Sequence, residues 1–407
     1  METKEERLGA YFTRKVCYCC EQPYETAHPF YKEMCPLCGE LNYRKRMQRS
    51  NLAGYRALIT GGRVKIGFET ARLLLEMGAE VVVTTRFPND ALKRYSLLPC
   101  FSEAKDRLKI IGADFRSISS ITNLIQVLKE KPLDILINNA AQTVRRPVPF
   151  YKHLWEAEKL PPAVEDVVCQ MKHIGTGENA FFPEIIGNGL NSVALSQLRI
   201  LPEDSDDNNE TFFPEGLLDK DGQQLDLRPH NSWMYQMEEV PLLELYEVLQ
   251  INLVTPFILM QQLLPLMSKP DRAAFIINVS AMEGNFYAPR KNTRHVHTNM
   301  AKAALNMITR TVAPHYKDYN VFMNSVDTGW ITNEKPNPQN LGNTERKTQM
   351  AIDEMTAQCE FWILFCKVST ELRFTENYLK ITGNILGKNV KQKAPLKRCL
   401  LFIAAHG

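Results

Sequence analysis

The feature that most restricts this chain is a strand, a glycine turn and a helix in immediate succession. The run RALIT is apolar enough for a buried strand. The turn Thr60-Gly61-Gly62-Arg63-Val64-Lys65-Ile66-Gly67 follows, and FETARLLLEMG then repeats apolar residues at helical spacing. Glycines in such a turn let the backbone approach a pyrophosphate seated on the helix N-terminus. Glycines alone are a weak signal, since a tight turn needs them too; their position between strand and helix gives them weight.

From Tyr55 onward the same rhythm continues. EVVVTTR, DILINNA, AAFIINVS and VFMNSVDTG read as buried strands, and ITNLIQVLKEK, LYEVLQINLVTPFILMQQLLPLM and MAKAALNMITRTVAPHY as helices between them. This alternation predicts an α/β Rossmann fold, a doubly wound parallel sheet. Residues 142–245 interrupt it with turn-rich pieces such as PEDSDDNNE, which we read as a large surface insertion, a second sandwiched domain being the alternative. The expected organisation is a Cys-rich segment over 1–50, the Rossmann domain over 51–358, and a tail of unclear fold over 359–407.

The 49 Lys+Arg and 46 Asp+Glu leave a formal charge of only +3, which argues against nucleic acid or an acidic membrane as the main partner. No run of about 18 apolar residues suggests a membrane span, and the N-terminus METKEERLGAYF lacks the apolar core of a secretion signal. A cytoplasmic protein is the expectation.

Several motifs together carry a family resemblance. The turn resembles the Thr-Gly-x-x-x-Gly-Ile-Gly loop of short-chain dehydrogenases/reductases, with Lys65 in place of the middle glycine. Asn138-Asn139-Ala140-Ala141 is similar to that family's Asn-Asn-Ala-Gly segment, and Asp114 to the acid that contacts the adenine end. Asn252 resembles the helix asparagine, and Asn324-Ser325-Val326-Asp327-Thr328-Gly329 the segment usually reading Asn-x-x-x-Pro-Gly. The resemblance implies a cofactor held by Thr60, Gly61, Arg63, Ile66, Gly67, Arg86, Asp114, Asn138, Ala140, Lys302, Thr328 and Gly329. It also implies a small-molecule substrate and a homo-oligomer.

Charge chooses between the two nicotinamide cofactors. NAD-binding relatives place an acid after the second strand for the ribose diol. Here Thr84, Thr85 and Arg86 stand there, with Arg63 and Lys65 close in sequence to the same turn. A guanidinium takes a 2′-phosphate in a charge-assisted contact, so NADP(H) is the expected cofactor.

The catalytic set is incomplete. The resemblance implies Asn, Ser, Tyr and Lys acting on a carbonyl or alcohol; Asn252 and Lys302 match, but the tyrosine position holds Thr298. The serine position holds Ala281, with Ser280 before it. A phenol titrates near 10 and an aliphatic hydroxyl resembles water, at about 15.7, so Thr298 is a weaker acid by about 7 kcal/mol. His297 is a replacement candidate, although a neighbour in a helix points about 100° away. Tyr287 is another. Two readings stay open: an NADP(H)-dependent oxidoreductase with an altered proton donor, or a non-catalytic dinucleotide-binding sensor or interaction protein.

Cys17-x-x-Cys20 and Cys35-x-x-Cys38 form two knuckle-like pairs, as in a four-cysteine zinc ribbon. Structural zinc is expected there, with Cys19 and His28 as alternate ligands; reduced, unliganded thiols or a redox pair are the bland alternatives.

Overall fold

The computed structural model describes residues 15–160, 164, 166–170, 192–201, 204, 209–286, 291–329, 331, 334, 336 and 353. Tyr287 and all of 359–407 lie outside them. The described residues divide into two compact units, a smaller one of 15–49 with 327–329, 331 and 353, and a larger one that takes in those between 50 and 326 with 334 and 336. In the smaller, β1 (Lys15–Val16) pairs antiparallel with β2 (Pro23–Tyr24), and α1 (Pro36–Met47) follows. Pro36 opens α1, where its missing N–H costs nothing, and Arg44, Lys45 and Arg46 close it against the negative end of the helix dipole.

The larger unit starts with β3 (Arg56–Ile59), α2 (Lys65–Glu76), β4 (Glu80–Thr85), α3 (Pro88–Ser96), β5 (Leu108–Gly112), α4 (Ile118–Leu128) and β6 (Ile135–Asn138). Within the expected insertion lie α5 (Lys152–Glu158) and β7 (Val168–Gln170). There follow α6 (Leu242–Leu249), α7 (Thr255–Met267), β8 (Ala274–Ser280), α8 (Val296–Lys317) and β9 (Val321–Asp327). The sheet order is β7-β5-β4-β3-β6-β8-β9. Strands β7, β5, β4, β3, β6 and β8 run parallel to their neighbours. Chain direction across the sheet reverses between β3 and β6, which places the glycine turn and the end of β6 at the topological switch point.

Three details depart from the sequence reading. The insertion is more than a surface loop, because its β7 adds a parallel edge strand beside β5. Helix α3, hidden in the polar run PNDALKRYS, was not expected; only Pro88, Ala91, Leu92 and Tyr95 of it are buried. The long helix before β8 is interrupted by a π-helical turn, Gln250–Val254, between α6 and α7. This span, Leu242–Met267, is apolar and long enough to pass a compositional test for a membrane helix. Its Leu259, Met260, Leu263 and Met267 nevertheless pack into the main core with α4, β6 and β8.

Strand burial is complete along β3, β6 and β8, as a sheet covered on both faces requires. One polar chain crosses that core. Asn138 Nδ2 donates to Asn278 Oδ1 at 2.8 Å, Asn278 Nδ2 donates to Thr309 Oγ1 at 2.9 Å, and Thr309 Oγ1 lies 2.7 Å from Ser325 Oγ. β6, β8, α8 and β9 are joined by groups that could not be left unpaired cheaply.

The glycine turn shows why its glycines are needed. Gly61 has φ +70°, and a Cβ there would meet Ala140 Cα at 2.9 Å. A Cβ on Gly67 would meet the Gly61 carbonyl oxygen at 2.2 Å. Lys65, in the place of the family's middle glycine, keeps the left-handed conformation at φ +56°. That geometry strains a residue with a Cβ by roughly 1–2 kcal/mol.

Candidate functional site

Hydrogen bonds lace the glycine turn to the end of β6. Thr60 Oγ1 accepts the N–H groups of Asn139 at 2.9 Å and Ala140 at 3.0 Å. Asn139 Nδ2 in return donates to the Thr60 and Gly61 carbonyls, both at 3.0 Å. The α2 N-terminus has neither a side-chain cap nor an acid in its first turn. Its amide donors are therefore available to an anion.

The cations around this turn are not equivalent. Arg63 is buried; its Nη1 donates to Asp90 at 2.7 Å and its Nη2 to Gln223 of the insertion at 3.0 Å. Lys65 Nζ sits 3.5 Å from Glu334. Both charges are compensated within the chain, so the free positive charge expected at these two positions is reduced. Arg86 differs: its Nη2 donates to the phenol oxygen of Tyr151 at 2.6 Å, and no acid pairs with it among the described residues. Its guanidinium lies over the rings of Tyr151 at 4.5 Å and Phe87 at 5.6 Å.

Asp114 falls two residues past β5. Its buried carboxylate is gripped by Arg116, with Nε at 3.0 Å and Nη2 at 2.6 Å. Burial alone pushes this carboxyl up, but the Arg116 guanidinium outweighs it and holds the group below the usual carboxylate range. Arg116 also faces Glu247 at 3.4 Å, Glu247 faces Arg145 at 3.4 Å, and Arg145 pairs with Asp204 at 2.7 Å. This buried ionic run fastens the insertion to α6.

At the start of α8, Thr298 lies one turn before Lys302, and Lys302 Nζ donates to the Val279 carbonyl at 2.7 Å. The Thr298 hydroxyl donates to the His295 carbonyl at 2.8 Å. His295 Nδ1 lies 3.1 Å from the same hydroxyl oxygen, and His295 Nε2 lies 3.4 Å from Asn292 Nδ2. One proton arrangement satisfies all three contacts: Asn292 donates to Nε2, Nδ1–H donates to Thr298, and Thr298 donates to the carbonyl. The Thr298 proton is thereby spent inside the chain.

His297 is fully buried and points at Glu244, with Nε2 3.7 Å from its carboxylate. It is not brought onto the Thr298–Lys302 face. Burial pushes the Glu244 carboxyl up, but contacts from His297, Ser232 and the Arg145 amide outweigh this and lower it overall. Ser280, the last residue of β8, is buried, and its hydroxyl has no hydrogen-bond partner among the described residues. Strand alternation turns it to the face opposite Ala281. Asn252 lies in the π-helical turn and clamps Gln142, accepting its N–H at 2.7 Å and donating to its carbonyl at 3.0 Å. In the smaller unit Thr328 is buried, and Gly329 takes φ +74°.

Sequence reasoning passed over Trp233 and Tyr151, both in the insertion. Trp233 stacks on His295 at 4.0 Å with rings 7° apart, and the Tyr235 carbonyl accepts the His295 N–H at 2.9 Å. These contacts hold His295 at φ +41°. The aromatic run VPFYKHLW was the available signal for Tyr151.

The four sulfurs of Cys17, Cys20, Cys35 and Cys38 lie within 4.8 Å of one another, and Cys20 and Cys35 are 3.9 Å apart. Zinc–sulfur bonds of about 2.3 Å in a tetrahedron require sulfur separations of about 3.8 Å. Cys19 turns away, its Sγ 3.6 Å from Met34 Sδ. His28 Nδ1 accepts the N–H groups of Phe30 and Tyr31, so neither alternate ligand joins the four. Burial raises the Cys17 thiol, yet the amides of Cys20, Cys35 and Cys19 outweigh it and bring the group down to about 7.

A reversal-point glycine turn laced to the fourth strand, with a Thr-x-x-x-Lys helix beside it, defines a Rossmann-type domain of the short-chain dehydrogenase kind. Residues 55–157 match the family described as short chain dehydrogenase, and residues 229–357 the one described as enoyl-(acyl carrier protein) reductase. The chain belongs to the short-chain dehydrogenase/reductase family. It is 31% identical over 306 residues to an uncharacterised protein of Acanthamoeba polyphaga mimivirus, covering 74% of this chain and 59% of that protein. It is 37% identical over 87 residues to (-)-isopiperitenone reductase of Mentha piperita, covering 21% of this chain and 28% of the reductase. The chain thus spans less than two thirds of these relatives' lengths. Among solved structures, a short-chain dehydrogenase of Streptomyces avermitilis is similar at 16% identity and a TM-score of 0.46, covering 83% of this chain and 96% of that one.

The buried imidazole of His295 gives a pH test. Burial first, and then the neighbouring basic side chains, push it down to about 4. The folded state therefore favours neutral His295, and the stability this brings is present above pH 6.5 and lost as pH falls through 4. Urea unfolding from pH 7 to 4 should cost the native chain about 3 kcal/mol more than His295→Asn, a side chain that tolerates the left-handed backbone. Equal losses in the two proteins would contradict this account.

Proposed function

We propose that this chain is an NADP(H)-dependent oxidoreductase acting on a small carbonyl or alcohol substrate. The observation that carries the reading is Arg86, a half-buried cation at the end of β4 with no acidic partner among the described residues. No acid follows β4 to take a ribose diol, and the uncapped α2 N-terminus suits a pyrophosphate. The residues present fit the cofactor: Gly61, Ile66 and Gly67 at the pyrophosphate, Arg86 at the 2′-phosphate, Ala140 along the ribose and Lys302 at the nicotinamide ribose. When bound, the cofactor would supply hydride for reduction of a carbonyl or accept it in oxidation of an alcohol.

The proton side of the reaction is impaired in this chain, because Thr298 is a weak acid whose hydrogen is already donated to His295. That observation favours the second reading, a dinucleotide-binding protein with little turnover. A homo-oligomer fits the exposed apolar side chains Leu242, Tyr246 and Phe257 of α6 and α7. We assign the protein to the cytoplasm and the Cys17, Cys20, Cys35 and Cys38 cluster to structural zinc.

Fluorescence titration should give NADPH an affinity roughly tenfold or more above NADH, a gap that Arg86→Ala removes. Equal affinities in the native chain would end the NADP assignment. With a panel of ketones and alcohols, native turnover should be slow. Thr298→Tyr combined with Ala281→Ser should raise it beyond either single change, since both groups address one substrate oxygen. Fast native turnover that is indifferent to these changes points to another donor. Protein purified without chelator should carry near-stoichiometric zinc, lost in Cys17→Ser and kept in Cys19→Ser; metal-free native protein refutes the zinc site.

A further inference from the structure

The insertion reaches the corner that reads the adenosine ribose. Ser192 Oγ donates to the Arg86 carbonyl at 3.0 Å, Glu158 accepts the N–H groups of Asn89 and Asp90, and Gln223 meets Arg63. Most of these contacts pair a donor with an acceptor and leave nothing over. Tyr151 is the exception. It is buried, and its ring is fixed 5.3 Å from Phe87 and 5.0 Å, edge-on, from Phe150. Its oxygen accepts from Arg86, so its own O–H must donate elsewhere, and no acceptor for it occurs among the described residues. A buried hydroxyl hydrogen without an acceptor is costly.

The missing acceptor and the missing counter-ion stand side by side. Among the described residues Arg86 has no ion-pair partner, and the hydroxyl beside it has no acceptor. The N–H of a guanidinium donating to a phenol oxygen also polarises the O–H, making it a better donor. Nearby acids are already committed: Asp90 holds Arg63 and Arg94, and Asp114 is gripped by Arg116. We propose that Tyr151, supplied by the insertion, is the second donor of the 2′-phosphate site, so that cofactor choice is made by Arg86 and Tyr151 together. This inference rests on the NADP(H) reading and adds to it a specificity-determining residue outside the dinucleotide motifs.

The 2′-phosphate can be isolated from the rest of the cofactor by titrating the full chain calorimetrically with adenosine 2′,5′-bisphosphate and with 5′-AMP. The native protein should prefer the bisphosphate. Tyr151→Phe keeps the ring and its packing, and should narrow that preference roughly three- to tenfold while 5′-AMP affinity stays unchanged. Tyr151→Leu, which also removes the stacking on Arg86, should narrow it further. A native-like preference in Tyr151→Phe, or an equal loss for both nucleotides, overturns the role of Tyr151. An unchanged preference in Arg86→Ala overturns the underlying cofactor reading instead. The phenylalanine variant decides the matter even if the leucine variant does not fold.

Discussion

The exchange between Thr60 and Asn139 is the contact on which the cradle depends. One hydroxyl accepts two amides from the end of β6, and one carboxamide answers two carbonyls of the glycine turn. The turn is held at a fixed height over the strand ends, close enough that Gly61 and Gly67 admit no side chain. Helix α2 then starts where its free amides face the switch point. The direction of β4, and with it the place of Arg86, follows from its parallel register on β3, in which Ile59 pairs with Val83.

Charge around that cradle is distributed by burial. Arg63 and Arg94 share the one carboxylate of Asp90, and Asp114 pairs with Arg116. Such buried pairs add little net stability, because desolvation offsets attraction, but breaking one leaves an exposed penalty on its partner. The run from Arg116 through Glu247 and Arg145 to Asp204 therefore acts as a key for docking the insertion in one arrangement. Arg86 forms no ion pair among the described residues and instead lies over aromatic rings.

Features that depend on near neighbours in the chain were legible in the sequence. Strands β3, β4, β6, β8 and β9 could be read from β-branched runs, and the glycine turn from its place between a strand and a helix. That His297 points away from the side shared by Thr298 and Lys302 follows from the turn of a helix, but its burial against Glu244 was not legible. Contacts between distant segments were not legible. Nothing in the polar insertion announces that Val168–Gln170 pairs with β5, since a three-residue edge strand has no periodicity to detect. The engagement of Asp114 by Arg116 spans only two residues, but its meaning depends on Glu247, far along the chain. Residues 359–407, where the apolar rhythm fails, fall outside the described structure.

The π-helical turn at Gln250–Val254 fixes a length as well as a shape. Such a turn holds one residue more than an α-helix would over the same rise, and the Thr255 hydroxyl closes it by donating to the Gln250 carbonyl five residues back. Upstream of it, Glu244 and Glu247 must face Arg145 of the insertion; downstream, Leu259, Met260, Leu263 and Met267 must face the core. Removing one residue would rotate one group against the other by about 100°. Both faces could not then be buried at once. Along this stretch the chain tolerates changes of letter more readily than changes of count.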